Sequence, residues 1–228
     1  MRAFDASYRA GDVIETGRRR DVAQPLLKAL STMTKLSHLT SLFGLTVGLF
    51  ASTHAQAGTE VIVSVRDQAL AVVRDGVRVA TYPVSTSKFG LGDRPSSYST
   101  PLGALKIAEK IGAGLKSGAV LKHRQATGEV LRPNTRGRDP IVSRILWLRG
   151  MESQNARAFD RKIYIHGTAD ERHIGRPASY GCIRMKSRDV IRVFDQLPVG
   201  TKVEVVKSSI SAAMRETAGL ERSGNGAS

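Results

Sequence analysis

Residues 163–185 read IYIHGTADERHIGRPASYGCIRM and hold the single cysteine of the chain, Cys182, with two of its five histidines, His166 and His173. The apolar alternation at the start of this stretch predicts a short strand that ends at His166. A polar loop containing Gly and Pro follows, and the chain then returns through Gly181 to Cys182 and a second apolar segment. This order indicates that a strand end and a glycine-preceded turn bring an imidazole and a thiol together.

An imidazole beside a thiol suits nucleophilic chemistry, because the thiolate is the reactive form and a free cysteine is mostly thiol at neutral pH. His166 could take the proton of Cys182 or hold the thiolate as an ion pair. Gly181 permits a tight turn whose N–H groups could bind an oxyanion. The charges of Arg184 and Arg176 would lower the pKa of the thiol and could bind a carboxylate. The alternative is that Cys182 is a small buried apolar side chain.

The motif as a whole resembles the catalytic domain of the L,D-transpeptidases, the YkuD-like family. That family carries an IHGT segment, a loop, and then S-H-G-C-I-R-M or a near variant. The likeness extends to a D-G hairpin near the start, a P-V-S-T segment at residues 83–86 and a T-P-x-G segment at residues 100–103. Within residues 163–185 the matching positions are Ile165, His166, Gly167, Thr168, Gly175, Pro177, Ser179 and the run 181–185.

The resemblance implies a cysteine acyltransferase that acts on peptidoglycan stem peptides. Family members cleave after the L-centre of a diamino acid, release a terminal D-amino acid and pass the acyl group to an amine, which makes wall cross-links or protein-to-wall attachments. Carbapenem β-lactams are expected inhibitors. Mapped onto this chain, Cys182 is the nucleophile, His166 is the general base, and the backbone carbonyl of Gly167 orients the imidazole. No metal and no cofactor is expected.

The resemblance also implies supporting roles around the thiol. Backbone N–H groups of Gly181 and Cys182 would form the oxyanion hole. Ser179 would support the site, although a purely structural role in the turn fits its position equally well. Arg184 and Arg176 are the predicted substrate-binding residues.

One position departs from the family pattern, because the residue directly before the Gly-Cys pair is usually histidine and is Tyr180 here. A phenol, with a pKa near 10, does not titrate near neutral pH as an imidazole does. The sequence therefore predicts that His166 is the base and that Tyr180 supports the pocket by packing and hydrogen bonding. His173 could fill part of the role of the missing imidazole.

Apolar alternation elsewhere predicts a mainly β fold with one or two short helices, and the resemblance narrows this to the β-sandwich or mixed sheet of an L,D-transpeptidase catalytic domain. Asp75-Gly76 is a strong hairpin signal. Polar loops are predicted at residues 88–99, 127–138 and 151–160, of which the first and last should frame the active-site cleft. Strands are predicted at residues 61–65, 68–74, 77–84, 104–108, 119–123, 141–149, 163–165 and 201–206.

A helix should follow the motif, with Ser187 as its N-cap, Asp189 in its first turn and Pro198 beyond its end. Residues 207–228 are polar, and we predict a flexible tail outside the core. The catalytic domain is therefore assigned to residues 58–206.

Residues 1–57 have the character of a targeting region. The mostly apolar segment 36–50 is preceded by a lysine and followed by an A-x-A cleavage signal that ends at Ala57, which together predict a secretory signal peptide. Starting at Met33 would give a compact signal peptide, so the residues before it are interpreted as an N-terminal extension. The protein is therefore expected to be exported to the periplasm or cell envelope. No stable membrane span is expected after cleavage, since a span needs about 20 apolar residues.

The chain is strongly basic, with 35 basic and 20 acidic residues; residues 1–57 hold 7 and 4 of them, which leaves a net charge of +12 on the exported part. Outside the cytoplasm nucleic acid is not an expected partner, and an anionic wall polymer or membrane surface suits the charge better. A basic surface without a specific partner is the alternative.

Two other functions use the same features. Water could replace the amine acceptor, which would make the protein a peptidoglycan L,D-carboxypeptidase or amidase. The basic charge and Tyr180 also fit a catalytically silent cell-wall-binding protein.

Overall fold

The computed structural model describes residues 58–224, and within that range the chain forms ten strands, two α-helices and two single-turn 3-10 helices. The strands are β1 (Thr59–Ser64), β2 (Ala69–Arg74), β3 (Val77–Pro83), β4 (Gly103–Ile111), β5 (Ala119–Lys122), β6 (Gln125–Val130), β7 (Ile141–Gly150), β8 (Tyr164–Thr168), β9 (Ile183–Met185) and β10 (Lys202–Val206). The α-helices are α1 (Ser187–Gln196) and α2 (Ile210–Gly224), and the 3-10 turns span Ser153–Asn155 and Glu171–His173. The predicted mainly β fold with short helices is confirmed.

The described strands form one mixed sheet in the order β3-β2-β1-β10-β4-β7-β5-β6, with β8 paired to β7 and β9 paired to β8. β1 runs parallel to β10, and β8 runs parallel to β9. Because β7 is ten residues long, it pairs with β4, β5 and β8 at once. The strand that carries His166 is therefore tied directly to the main sheet.

The hairpin between β2 and β3 follows from its two turn residues. Asp75 and Gly76 have φ angles of 52° and 74°, and a two-residue loop with both φ angles positive matches the twist of the flanking strands. The hairpin predicted at Asp75-Gly76 is confirmed.

Helices cover both faces of the β1 region. Val61 and Val63 point into the main core, which also holds Val190 and Val193 of α1. Ile62 points to the opposite face, where Ile210 and Ala213 of α2 pack with Ala71 and Val73 of β2. The prediction that residues 207–228 lie outside the core is therefore wrong for the start of α2, because its first turns bury an apolar face on the sheet.

Two local predictions are also wrong. The loop expected at residues 127–138 begins as part of β6, a strand that is exposed along its whole length and pairs with β5. Such a strand buries no face, so its sequence shows no apolar alternation. Ser187 is the first residue of α1 rather than its N-cap, and its N–H donates to Oε1 of Glu171 at 2.8 Å. A carboxylate from a distant loop thus performs the capping that a local side chain was expected to perform.

The signal peptide predicted within residues 1–57 lies outside the described residues, so export stays a prediction. Within residues 58–224, no helix has the length and apolar character that crossing a membrane requires.

Candidate active site

His166 lies in β8 and is 5% exposed. Its Nδ1 is 2.9 Å from the carbonyl oxygen of Gly167. Because a carbonyl oxygen only accepts, Nδ1 carries the proton and donates it, which leaves Nε2 as the basic nitrogen. The contact has the geometry expected of a backbone group that orients the imidazole.

Gly167 is a glycine because the backbone of β7 passes very close to it. A Cβ atom at this position would lie 2.4 Å from the carbonyl oxygen of Val142 and 3.1 Å from Cγ1 of Val190. Any larger residue would push β8 away from β7, and the imidazole would move with it.

Cys182 directly precedes β9, which runs parallel to β8 with Ile183 opposite Ile165 and Arg184 opposite His166. Continuing this register by one residue places Cys182 beside Tyr164. The thiol of Cys182 forms a hydrogen bond with the backbone of Tyr164. The thiol and the imidazole therefore belong to diagonal neighbours, whose Cα atoms are about 8 Å apart at ordinary strand spacing.

The thiol is half-buried, and Sγ of Cys182 donates to the carbonyl oxygen of Lys162 at 3.4 Å. Burial raises the pKa of the Cys182 thiol, although the backbone hydrogen bond with Tyr164 and the charges of Arg184 and Arg161 oppose the shift. At neutral pH Cys182 is therefore a thiol rather than a thiolate.

The imidazole is also neutral. Burial lowers the pKa of His166 to about 4, the hydrogen bond to Gly167 opposes this shift, Arg184 adds to it and Asp139 opposes it. A neutral imidazole and a neutral thiol at diagonal positions of neighbouring strands fit proton transfer at the moment of attack and do not fit a resting ion pair. The charge of Arg184 lowers the pKa of the Cys182 thiol as expected, but burial outweighs it, so the net shift is upward.

Side-chain hydrogen bonds fix the turn formed by residues 179–182, called here the thiol turn. The buried hydroxyl of Ser179 donates to the carbonyl oxygen of Cys182 at 2.6 Å and accepts the N–H of Gly181 at 3.2 Å. Thr100 Oγ1 donates to the carbonyl oxygen of Gly181 at 3.0 Å. Of the two amides predicted for the oxyanion hole, that of Gly181 is thus already engaged, and that of Cys182 remains the candidate.

The loop of residues 88–100 lies against the thiol turn and is held there by a buried ion pair. Nη1 of Arg161 lies 2.6 Å from Oδ1 of Asp93, and the two side chains are 11% and 6% exposed. The same guanidinium donates to the carbonyl oxygens of Gly92 and Ser99 at 3.1 and 2.7 Å. The predicted 88–99 loop is thus placed against the thiol turn, and the predicted 151–160 loop reaches it through the N–H of Arg157, which donates to Oδ2 of Asp93 at 2.7 Å. Arg161, rather than Arg176, is the second arginine that acts on the thiol.

The guanidinium of Arg184 forms an ion pair with a carboxylate of the protein itself. Its Nη2 lies 2.9 Å from Oδ2 of Asp139, whose Oδ1 accepts the hydroxyl of Thr168 at 2.7 Å. Its backbone pairs with Ser85 in both directions at 2.9 Å. The guanidinium predicted to bind substrate is therefore first of all a partner of Asp139, and it lines a cleft of about 510 Å³.

The structure places Ser179, Gly181 and Cys182 in one turn next to the strand that carries His166 and Gly167. Arg176, Tyr180 and Arg184 lie in the wall of the cleft. Sequence reasoning missed Arg161, Asp93, Asp139 and Lys88, because ordinary charged residues in loops carry no local signal. Within residues 58–224 no group of three or more His, Cys, Asp or Glu side chains converges as a metal site would require.

A comparison with known protein families identifies the family to which this arrangement of residues belongs. Residues 58–205 match the model of the YkuD L,D-transpeptidase catalytic domain. The chain belongs to this family. Its relatives include YqjB of Bacillus subtilis strain 168, whose name as an L,D-transpeptidase is itself provisional; the two are 30% identical over 152 residues, which cover 66% of this chain and 73% of YqjB. YkuD of the same strain is 31% identical over 49% of this chain and 70% of its own length.

L,D-transpeptidases are also found among similar solved structures. L,D-transpeptidase 3 from Mycobacterium tuberculosis, in complex with a faropenem-derived adduct, is 19% identical, with a TM-score of 0.40 over 64% of this chain and 59% of that one. This chain thus spans less than two thirds of that structure.

This L,D-transpeptidase family member differs from the usual motif at Tyr180, and the structure shows where the phenol lies. The side chain is 54% exposed, and its hydroxyl accepts from Nζ of Lys88 at 3.1 Å. Its ring contacts those of Phe89 and Tyr98, with centroids 5.3 and 5.9 Å away. His173 lies in the wall of the same cleft, with Nδ1 in close contact with Oδ2 of Asp170. The phenol of Tyr180 thus packs against two aromatic rings and accepts a hydrogen bond in the wall of the cleft.

Proposed function

We propose that the protein is an exported L,D-transpeptidase that acts on peptidoglycan stem peptides through an acyl-enzyme on Cys182. Family membership, the neutral, carbonyl-oriented imidazole of His166, and the protonated thiol of Cys182 at the start of the neighbouring strand support the proposal. The +12 charge of the part after residue 57 suits an anionic wall polymer.

In the first half-reaction, Nε2 of His166 takes the proton from Sγ of Cys182 as sulfur attacks the carbonyl carbon of the L-centre. The Cys182 amide would stabilise the oxyanion. The C–N bond to the terminal D-amino acid then breaks, and the imidazolium returns its proton to the leaving amine. A thioester remains on Cys182.

In the second half-reaction, an acceptor amine attacks the thioester carbon while His166 takes its proton. The C–S bond breaks, and the thiolate recovers the proton from the imidazolium. The product is an amide cross-link or a protein-to-wall attachment. With water as the acceptor, the same steps would yield a shortened stem peptide, which is the carboxypeptidase outcome.

Intact-mass spectrometry with a carbapenem tests the acyl-enzyme. Sulfur opens the β-lactam ring and the whole inhibitor is added, so the expected result is one adduct mass on the parent protein. Cys182→Ala should give no adduct and His166→Ala a slowed one, whereas Lys116→Met, an exposed position outside the cleft, should match the parent. A parent protein that forms no adduct, with a thiol inert to small alkylating reagents, would contradict the proposal.

A second experiment identifies the acceptor and the compartment. A stem tetrapeptide with and without an amine acceptor should yield a cross-linked product only when the amine is present. Hydrolysis alone in both cases would replace the transpeptidase with a carboxypeptidase. Protein recovered from the cell envelope should have Gly58 as its first residue when its N-terminus is sequenced. Recovery of uncleaved protein from the cytoplasm would refute export.

A further inference from the structure

The cleft beside the thiol turn is lined by two carboxylates, one imidazole and three basic side chains: Asp139, Asp170, His173, Lys88, Arg176 and Arg184. These side chains differ in how they are paired, because both carboxylates already have cationic partners. Asp139 pairs with Arg184 at 2.9 Å. Asp170 pairs with Arg172 at 2.9 Å and contacts His173.

Two cations in this cleft have no carboxylate partner among the described residues. Nζ of Lys88 donates to the hydroxyl of Tyr180 at 3.1 Å and lies 4.4 and 5.2 Å from the ring centroids of Tyr180 and Phe89, which carry no charge. The guanidinium of Arg176 lies in the cleft wall, is exposed, and has no partner within residues 58–224. The cleft therefore presents two positive charges that the protein itself does not neutralise.

The backbones that carry these cations are held against each other. The N–H of Lys88 donates to the carbonyl oxygen of Ser179 at 3.2 Å. The hydroxyl of Ser85 donates to the carbonyl oxygen of Arg176 at 2.6 Å, and the neighbouring Gly175 N–H donates to Val84 at 2.8 Å. Both side chains thus extend from backbone positions that hydrogen bonds fix, so binding an anion does not have to order these two backbone segments.

We propose that Lys88 and Arg176 form an anion subsite that binds the terminal carboxylate of the peptide acyl donor. This inference rests on the proposed function. A guanidinium and an ammonium match a carboxylate in charge and hydrogen-bond geometry. Holding that carboxylate would restrict the reaction to the last peptide bond of the donor, because an internal residue presents no charge at that place.

The test is calorimetric binding to the full chain carrying Cys182→Ala, so that no turnover occurs. The probes are a stem tetrapeptide with a free terminal carboxylate and the same peptide with a terminal carboxamide. We expect the acid to bind about tenfold more tightly than the amide. Adding Lys88→Met or Arg176→Gln should remove most of this preference while leaving the affinity for the amide unchanged.

Matched controls separate the subsite from the general basic charge. Lys116→Met removes the same charge from an exposed position outside the cleft and should keep the tenfold preference, and Lys88→Arg should keep it as well. Circular dichroism melts of each variant confirm folding. Equal affinity for the two peptides, binding of neither, or a preference that survives the double variant Lys88→Met/Arg176→Gln would overturn the proposal.

The outcome is independent of whether the enzyme reacts. If the parent protein forms no thioester but the Cys182→Ala chain still prefers the acid over the amide, the proposed function fails and the subsite stands. If the parent forms the thioester equally well with both peptides and the binding preference is absent, the subsite fails and the proposed function stands.

Discussion

The two halves of the candidate site are built in different ways. The imidazole of His166 sits inside the strand ladder of β8, where all five residues are buried and Gly167 touches the backbone of β7. The thiol of Cys182 sits at the end of a turn that side-chain hydrogen bonds hold in place, and it remains partly exposed. The position of the candidate base is thus determined by backbone packing, and the position of the candidate nucleophile is determined by a few polar contacts.

This difference matches two tasks that the proposed mechanism requires. The base must stay neutral and keep one tautomer, and burial with a backbone acceptor achieves both. The nucleophile must reach a substrate carbonyl, which requires exposure and so cannot rely on deep packing. Changes on the imidazole side should therefore act on stability and protonation, and changes on the thiol side should act mainly on the geometry of attack.

The largest effect is expected from His166→Gln. Removing the base should slow acylation by a carbapenem at pH 7 by about 100- to 10,000-fold, the usual range for a general base. Because a thiol ionises without help at high pH, the defect should shrink as the pH rises toward 10. Stopped-flow acylation rates across this range check the effect. Equal rates at pH 7 would remove His166 from the reaction.

The next effect is a pH dependence of stability. The unfolded imidazole has a pKa near 6.5 and the folded one a pKa of about 4, so the unfolded state binds the extra proton in between. The stability that the neutral imidazole contributes is fully present above about pH 6.5. It is lost as the pH falls toward 4, and the free energy of unfolding drops by about 3 kcal/mol in total. Urea unfolding of the parent and of His166→Gln at several pH values isolates it, and parallel curves would refute the burial of a neutral imidazole.

Gly167→Ala should destabilise the fold by about 2 kcal/mol, since the added methyl group overlaps the carbonyl oxygen of Val142. Gly219→Ala is the matched control, because a Cβ atom there meets nothing within 4 Å and lies in a helix, where alanine is favoured. Denaturant midpoints measure both. A Gly167→Ala protein as stable as the parent would show that β8 can shift away from β7.

The smallest effect is expected on the thiol side. Ser179→Ala removes two buried hydrogen bonds of the thiol turn and should cost about 1 kcal/mol of stability. Acylation should slow while the pH dependence of stability stays that of the parent, because His166 is untouched. The exposed Ser117→Ala is the control. A change in the pH dependence would mean that the two halves are not separable in this way.

The parts that could be predicted from the sequence are those encoded by neighbouring residues. Apolar alternation located most strands, and Asp75-Gly76 located the first hairpin. The contact between His166 and Gly167 joins adjacent residues, and the resemblance of the motif to the L,D-transpeptidase family implies it. In each case the deciding interaction lies within a few positions along the chain.

What could not be predicted depends on pairing over long distances. Arg161 and Asp93 are 68 residues apart, and nothing in the local pattern of either residue marks its partner. Glu171 replaces the local cap expected at Ser187 for the same reason. The exposed β6 gave no signal at all, because a strand that buries no face needs no alternation.

The ion pair between Arg161 and Asp93 links the position of the 88–100 loop to the acidity of the Cys182 thiol. The guanidinium holds the 88–100 loop through Asp93, Gly92 and Ser99, and its charge favours the thiolate of Cys182. Removing this one side chain would therefore release the loop and raise the pKa of the thiol at the same time, so the position of the loop and the acidity of the sulfur depend on a single guanidinium.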